Sequence, residues 1–238
     1  MVSIVIPTLN EEKYLPRLLK CIKEQSFTDF EVIIADANST DSTIQIAQDF
    51  GALVVGGGIP AIGRNKGAEA AKGDILIFID ADAMFGSEFI QQILGEFSNR
   101  NLDFAIPIFN PEHPRLKYKF FLMWANSYKK MMQNSYFPDG TGQLVICKTA
   151  AFKDIGMYLD MQVAEDNNLF WRAAKSKKYK VGIVNFRFTS STRRLEKIGL
   201  RRTFFLWSLI FWAMLFGVIR YAKVQNYFIK MYGGYKGW

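Results

Sequence analysis

Ile75-Leu76-Ile77-Phe78-Ile79 runs without a polar residue into Asp80-Ala81-Asp82. Five consecutive apolar residues have no solvent-facing side, so the stretch predicts a central strand of a sheet covered on both faces. Two carboxylates at its C-terminal end put negative charge where open α/β sheets bind their ligands. Alternate strand residues point the same way, so Asp80 and Asp82 can both reach one hard cation. Read alone, the triplet fits equally well a turn closed by Asp80 and a helix capped by Asp82.

Upstream and downstream, strand and helix signals alternate. Residues 3–7, 32–35, 53–55 and 101–109 read as strands, and residues 74–80 as the strand already quoted. Leu15, Leu18, Leu19 and Ile22 recur at helical spacing, with Pro16 tolerable in the first turn. Asn38-Ser39-Thr40-Asp41 reads as a turn and cap before a short helix, and residues 62–71 as another helix. The alternation predicts βαβ units and a mainly parallel α/β sheet flanked by helices. Beyond a loop at 110–114, the pattern predicts an aromatic, basic helix over about 117–133 and a strand at 143–147. A helix from Glu165 to about residue 175 and a last strand at 180–188 complete it. His113, the single histidine, has no second ligand at metal spacing and reads as a surface residue.

A length of 238 residues suits one well-buried α/β domain and an appendage. Charge divides the chain in the same way. From Arg172 onward there are 15 Lys and Arg against the single acid Glu196, whereas the first 171 residues hold 15 bases and 21 acids. A basic, aromatic tail on an acidic body points to an anionic surface, membrane or nucleic acid. Residues 204–219 carry no charge and lie between Arg201-Arg202 and Arg220. At 1.5 Å per residue they cover roughly 24 Å, short of the roughly 30 Å hydrocarbon core. The expectation is a helix lying in or dipping into a membrane face, aided by basic neighbours contributing about 1 kcal/mol each near anionic lipid. An ordinary buried helix or a dimer contact is the alternative. Nucleic acid fits poorly, because the bases frame an apolar run rather than interleave with aromatics. The expected division is a domain over 1–190 and a membrane-associated segment over 191–238.

Cys21 and Cys147 sit among apolar neighbours and read as small core residues in a reducing compartment. The opening residues lack the pattern of a signal peptide, so the expected location is the cytoplasmic face of the cell membrane. Gly56-Gly57-Gly58-Ile59-Pro60-Ala61 nearly spells a dinucleotide fingerprint, but it follows the third strand and Pro60 fits poorly at a phosphate-binding helix start. A dehydrogenase is therefore not expected. Nor is a nucleotidyltransferase, whose glycine-rich, lysine-terminated loop is missing after the first strand.

Five stretches in order resemble the family 2 glycosyltransferases, whose nucleotide-sugar domain has the GT-A fold. They are Ser3 to Glu11; Glu31 to Asp36 with Ser39-Thr40-Asp41; Gly63-Arg64-Asn65-Lys66-Gly67 with Ala71 to Asp74; Asp80-Ala81-Asp82, like the family's DXD motif; and Glu165-Asp166 with Leu169 and Arg172. The resemblance covers residues 1 to about 190. It implies an inverting, metal-dependent transferase that moves a sugar from a UDP- or GDP-sugar. Asp82, with Asp80, would hold Mg2+ or Mn2+, Asp80 also serving the ribose. Pro7, Thr8, Asn10 and Glu11 would form the nucleotide loop, Asp36 would meet base or ribose, and Arg64 and Lys66 would supply positive charge. Asp166, beside Glu165, would be the general base or, with a lipid phosphate acceptor that needs none, would orient acceptor or metal. Arg172 would contact the diphosphate or an acceptor phosphate, a surface salt bridge being its alternative. From the residues alone, Glu165 and Asp166 equally suit the dipole of a helix start. One departure stands out: Gly156-Met157-Tyr158 occupies the place of a Gly-Gly-Phe-like turn. With the basic, aromatic tail, the expected acceptor is membrane-bound: a polyprenyl phosphate, a lipid-linked glycan or a glycolipid. The competing reading is a non-catalytic, membrane-attached nucleotide-sugar-binding module, for which Asp82→Asn would leave function intact.

Overall fold

The computed structural model describes residues 1–111, 116–140, 143–190 and 198–231; His113 falls outside them. Among the described residues eight strands form one sheet: β1 Val2–Thr8, β2 Phe30–Asp36, β3 Leu53–Gly56, β4 Ile75–Ile79, β5 Ala83–Met84, β6 Phe104–Pro111, β7 Leu144–Lys148 and β8 Val181–Ser190. The helices are α1 Leu15–Lys23, α2 Thr43–Phe50, α3 Pro60–Ala70, α4 Phe89–Asn99, α5 Leu116–Met132, α6 Thr149–Asp154, α7 Glu165–Ser176, α8 Leu200–Leu215 and α9 Ala222–Met231.

β4 is central, as its composition requires. Ile77 and Ile79 join the core beneath α1, α2 and α4, while Leu76 and Phe78 join the core beneath α3, α6 and α7. A strand whose alternate residues enter two different cores has no position for a polar side chain. Leu18 and Ile22 of α1 and Ile90, Ile93 and Phe97 of α4 fill the first core. Ala61 and Ala68 of α3, Phe152 of α6 and Phe170 of α7 fill the second. Each large apolar side chain so buried contributes about 1.5–3 kcal/mol before entropy is counted.

Across the sheet the order is β3-β2-β1-β4-β7-β6-β8-β5. β1, β2, β3 and β4 are mutually parallel where they pair, but β7 runs antiparallel to both β4 and β6, and β5 antiparallel to β8. The sheet is mainly parallel, as expected, β6 and β8 pairing parallel as well; only β7 and β5 run against it, which periodicity could not report because it marks a strand but not its direction. The strand expected at 101–109 begins only at Phe104, since Asn101 takes a left-handed φ of 47°. Pro60 opens α3 at its first turn, where its missing N–H costs nothing. The glycine run before it lies against β2: a Cβ on Gly57 would stand 2.6 Å from the Ala35 carbonyl oxygen.

Residues 204–219 do not form one helix. α8 ends at Leu215, Gly217 takes φ 70°, a 3₁₀ turn follows at Val218–Arg220, and α9 begins at Ala222. Among the described residues no helix is long and apolar enough to cross a membrane. Leu206, Ile210, Ala213 and Met214 on one side of α8 pack with Ile219, Phe228, Met161 and Trp171 in a third apolar cluster.

Candidate active site

The C-terminal ends of β1 and β2 carry the residues expected to meet a nucleotide. Thr8 and Asp36 face each other in register, and the Thr8 hydroxyl donates to Asp36 Oδ1 at 2.9 Å. Asp36 also accepts from the Ser39 hydroxyl at 2.6 Å and from the Ser39 N–H at 2.7 Å. Those three bonds occupy most of a carboxylate's roughly four acceptor sites, so Asp36 organises its own turn and keeps little spare capacity. Asn10 sits at φ 54°, its N–H donating to the Ser39 hydroxyl and its Oδ1 accepting from the Thr40 N–H, both at 2.8 Å. The Glu11 N–H donates to Thr43 Oγ1 at 2.8 Å. The loop from Pro7 to Glu11 is thus sewn to the loop after β2 by side chains.

One strand over, β4 stops at Ile79 and the Ala83 N–H bonds the Asp80 carbonyl at 3.1 Å. Asp80 and Asp82 therefore lie in a turn, and the alternation of a pleated strand does not set where they point. Asp80 is engaged: Arg64 donates from Nη2 to its Oδ1 at 2.9 Å. Arg64 also donates from Nη1 to Glu165 Oε1 at 2.9 Å and stands 3.7 Å from Asp166 Oδ1. α3 supplies Arg64, the end of β4 supplies Asp80, and the first turn of α7 supplies Glu165 and Asp166. Four residues expected at the site from separate motifs meet here.

The electrostatics are severe. Arg64 is 4 % exposed and Asp166 9 %. Burial alone would lower the Arg64 guanidinium, but Asp166, Asp80 and Glu165 together hold it well above its usual range. In Asp166 burial dominates: opposed by Arg64 and reinforced by Glu165 and Asp80, it pushes the carboxyl up to about 7. One buried cation serves three carboxylates, which leaves an excess of negative charge.

Two residues that lie in the quoted stretches but received no role there complete the cluster. Asn65 clamps the backbone of Tyr158, donating from Nδ2 to its carbonyl at 2.8 Å and accepting its N–H at 3.0 Å. The Tyr158 ring then lies 5.6 Å from the Arg64 guanidinium. Its buried hydroxyl faces Asp166 without closing a hydrogen bond of normal geometry, and burial followed by that carboxylate raises its pKa well above the usual phenol range. The clue to Tyr158 was its place in the turn where the family pattern has an aromatic. Arg172 is directed elsewhere than expected. Its guanidinium donates to Asn168 Oδ1 at 2.9 Å, to the Ile155 carbonyl at 2.6 Å and to the Met157 carbonyl. It braces the turn that carries Tyr158.

A divalent cation suits this donor set. Asp80 and Asp82 offer hard oxygen ligands beside an acidic excess, and Mg2+ or Mn2+ needs only one or two carboxylates when phosphate and water complete its shell. Among the described residues no group of three His, Cys, Asp or Glu side chains could hold a metal by itself.

The profile of "Glycosyl transferase family 2" matches residues 3–156. Poly(ribitol-phosphate) beta-N-acetylglucosaminyltransferase TarS of Staphylococcus aureus is 33 % identical over 99 residues, covering 37 % of this chain and 17 % of its own length. Undecaprenyl-phosphate 4-deoxy-4-formamido-L-arabinose transferase of Pseudomonas fluorescens is 35 % identical over 107 residues, covering 40 % of this chain and 32 % of its own. The chain thus spans under a third of the length of these curated relatives. In three dimensions it resembles the crystal structure of S. aureus TarS 1–349, with TM-score 0.64 and 21 % identity over 81 % of this chain and 61 % of that one. It also resembles mannosyltransferase PcManGT of Pyrobaculum calidifontis, solved with GDP-Man and Mn2+, with TM-score 0.63 and 18 % identity over 83 % and 60 %. At such identities the likeness is one of fold, and that fold is GT-A. With its profile match covering more than half the chain, the protein belongs to glycosyl transferase family 2.

Proposed function

We propose that the protein is an inverting glycosyltransferase that moves a sugar from a UDP- or GDP-sugar to a membrane-bound acceptor. The observation that carries the reading is the Arg64-centred group of Asp80, Glu165 and Asp166 beside the turn holding Asp82, at the edge of the sheet where parallel strands end. Support comes from relatives solved with UDP-GlcNAc and with GDP-Man and Mn2+.

Each residue then has a task. Pro7, Thr8, Asn10, Glu11 and Asp36 border the nucleoside. Asp82, assisted by Asp80, would hold the divalent cation, whose chemistry when bound is to offset charge on the departing diphosphate. Asp166 accepts the proton of the acceptor hydroxyl as its oxygen attacks the anomeric carbon. The bond from that carbon to the β-phosphate oxygen breaks on the opposite side, which inverts the centre. A carboxyl with a pKa of about 7 is well matched to taking up that proton near neutral pH. Glu165 and Arg64 orient Asp166, and Arg172 acts at a distance by fixing the 155–157 turn. Residues 191–238 form the membrane-directed segment. The acceptor, carried by a lipid, is met at the cytoplasmic face, in keeping with two unpaired cysteines.

The test is a panel of UDP- and GDP-sugars with Mn2+ or Mg2+, scored by thermal shift and by nucleotide release. One donor class should raise Tm only with the cation present. Asp82→Asn should lose that shift and turnover while keeping its unliganded Tm. Absence of a shift with every donor would remove the reading.

A further inference from the structure

Two helices far apart in sequence present one aromatic surface. Phe120, Met123 and Trp124 of α5 stand exposed, as do Phe204, Trp212 and Phe216 of α8, the last at 72 %. The two sets touch: the Trp124 ring lies 5.8 Å from Phe204, and half-buried Phe121 lies 5.4 Å from Trp207. Trp212 and Phe216 stack at 5.9 Å further along α8. The other side of α8 is already filled by Leu206, Ile210 and Met214 packing on the body, so from Phe204 onward the helix is apolar on both sides apart from Ser208, and folding has covered only one of them. Single exposed apolar residues are ordinary, but a contiguous aromatic patch calls for a partner.

The charges around the patch identify that partner. Lys119, Lys130, Arg201, Arg202, Arg220 and Lys223 are exposed on or beside these helices. Neither α5 nor residues 200–231 contain an Asp or Glu. We propose that this face of α5 and α8 seats the protein in the headgroup region of an anionic bilayer, without crossing it. Tryptophan and phenylalanine backed by lysine and arginine is the composition of a helix at a lipid interface. A second copy of the chain fits less well, since a two-fold pairing of this face would bring the lysines and arginines of two chains together with no acid on α5 or residues 200–231 to answer them. The inference deepens the sugar-transfer reading by naming the surface. Trp171 of α7 packs against Phe211 of α8 at 5.8 Å, five residues from Asp166, so one helix joins the lipid-facing layer to the carboxylate cluster.

The full chain would be co-sedimented with vesicles of phosphatidylcholine alone or mixed with phosphatidylglycerol. Binding should require phosphatidylglycerol, weaken as salt rises, and fall at least tenfold in Trp124→Ser/Phe204→Ser/Phe216→Ser. Because those side chains are exposed, that variant should keep the wild-type Tm and the wild-type thermal shift with UDP or GDP plus Mn2+. Wild-type binding by the triple variant, indifference of the wild type to anionic vesicles, or a solution dimer dissolved by the same substitutions would each overturn the proposal. Vesicle binding without any nucleotide-induced shift would uphold the surface and sink the sugar-transfer reading, so the two failures are separable.

Discussion

The edge of the sheet and the C-terminal helical layer are held together in opposite ways. At the edge, cohesion is polar and directional: hydroxyls, amides and carboxylates tie the loops after β1 and β2, and a buried arginine joins α3, β4 and α7. In the layer formed by α8 and α9, cohesion is apolar, with Leu206, Ile210 and Phe228 packed on Trp171. A directional network fails when one partner is removed, whereas an apolar contact loses stability in proportion to the volume deleted. Positions that must hold reacting groups to fractions of an ångström lie in the first kind of structure.

The sharpest way to break this contrast is at its centre. Arg64→Met should destabilise the fold by about 3–5 kcal/mol, because buried Asp166 and partly buried Asp80 and Glu165 lose their cation, and Arg64→Lys should recover only part, since a lysine cannot fork to two carboxylates. Calorimetric Tm measures both. Asp166→Asn should lower kcat on the order of 10²- to 10⁴-fold with the fold intact. In the wild type kcat/KM should rise with pH through about 7, as Asp166 loses its proton. Stability moves the opposite way. The carboxyl binds its proton more tightly when folded, at about 7, than at the ordinary 3.8, so its contribution is complete below about pH 4 and fades as pH rises to 7. The wild-type Tm should therefore fall across that window relative to Asp166→Asn, and a parallel pair of curves would contradict the burial of this group.

Smaller effects test the apolar layer. Leu206→Ala should cost about 2–5 kcal/mol, while Trp212→Ser, on the exposed side of the same helix, should stay within about 0.5 kcal/mol, both by urea unfolding. Two glycines finish the comparison. A Cβ on Gly67 would lie 2.2 Å from Val5 Cγ1, so Gly67→Ala should force α3 off β1 at about 1–3 kcal/mol. Gly95 in α4 has nothing within 4 Å, and Gly95→Ala should stabilise by about 0.5–1 kcal/mol.

Much of the fold was legible because its signals are local. An apolar pentapeptide must be a covered strand, and Leu15 to Ile22 must face a core as a helix. Asp80, Glu165 and Asp166 were legible as members of one cluster through their order in the chain. What stayed hidden depends on distant partners. Nothing near Asn65 announces that it clamps Tyr158, 93 residues away, and nothing near Arg172 announces that its donors are taken by the Ile155 and Met157 carbonyls. The direction of β7 was equally invisible, since reversing a strand leaves its period unchanged. Gly217 was the legible break in the 204–219 run, and the absence of charge there outweighed it.

The reversed polarity of β7 has an outcome for how such a protein diversifies. Because that strand enters the sheet at the edge where its parallel neighbours leave, the segment preceding it, rather than the one following it, borders the carboxylates; Gln143 accepts the Asp80 N–H there at 2.9 Å, and Asn167 Oδ1 on α7 accepts the Gly140 N–H at 2.7 Å. Lengthening or rewriting this approach segment would remodel the mouth of the site while leaving every strand pairing in register.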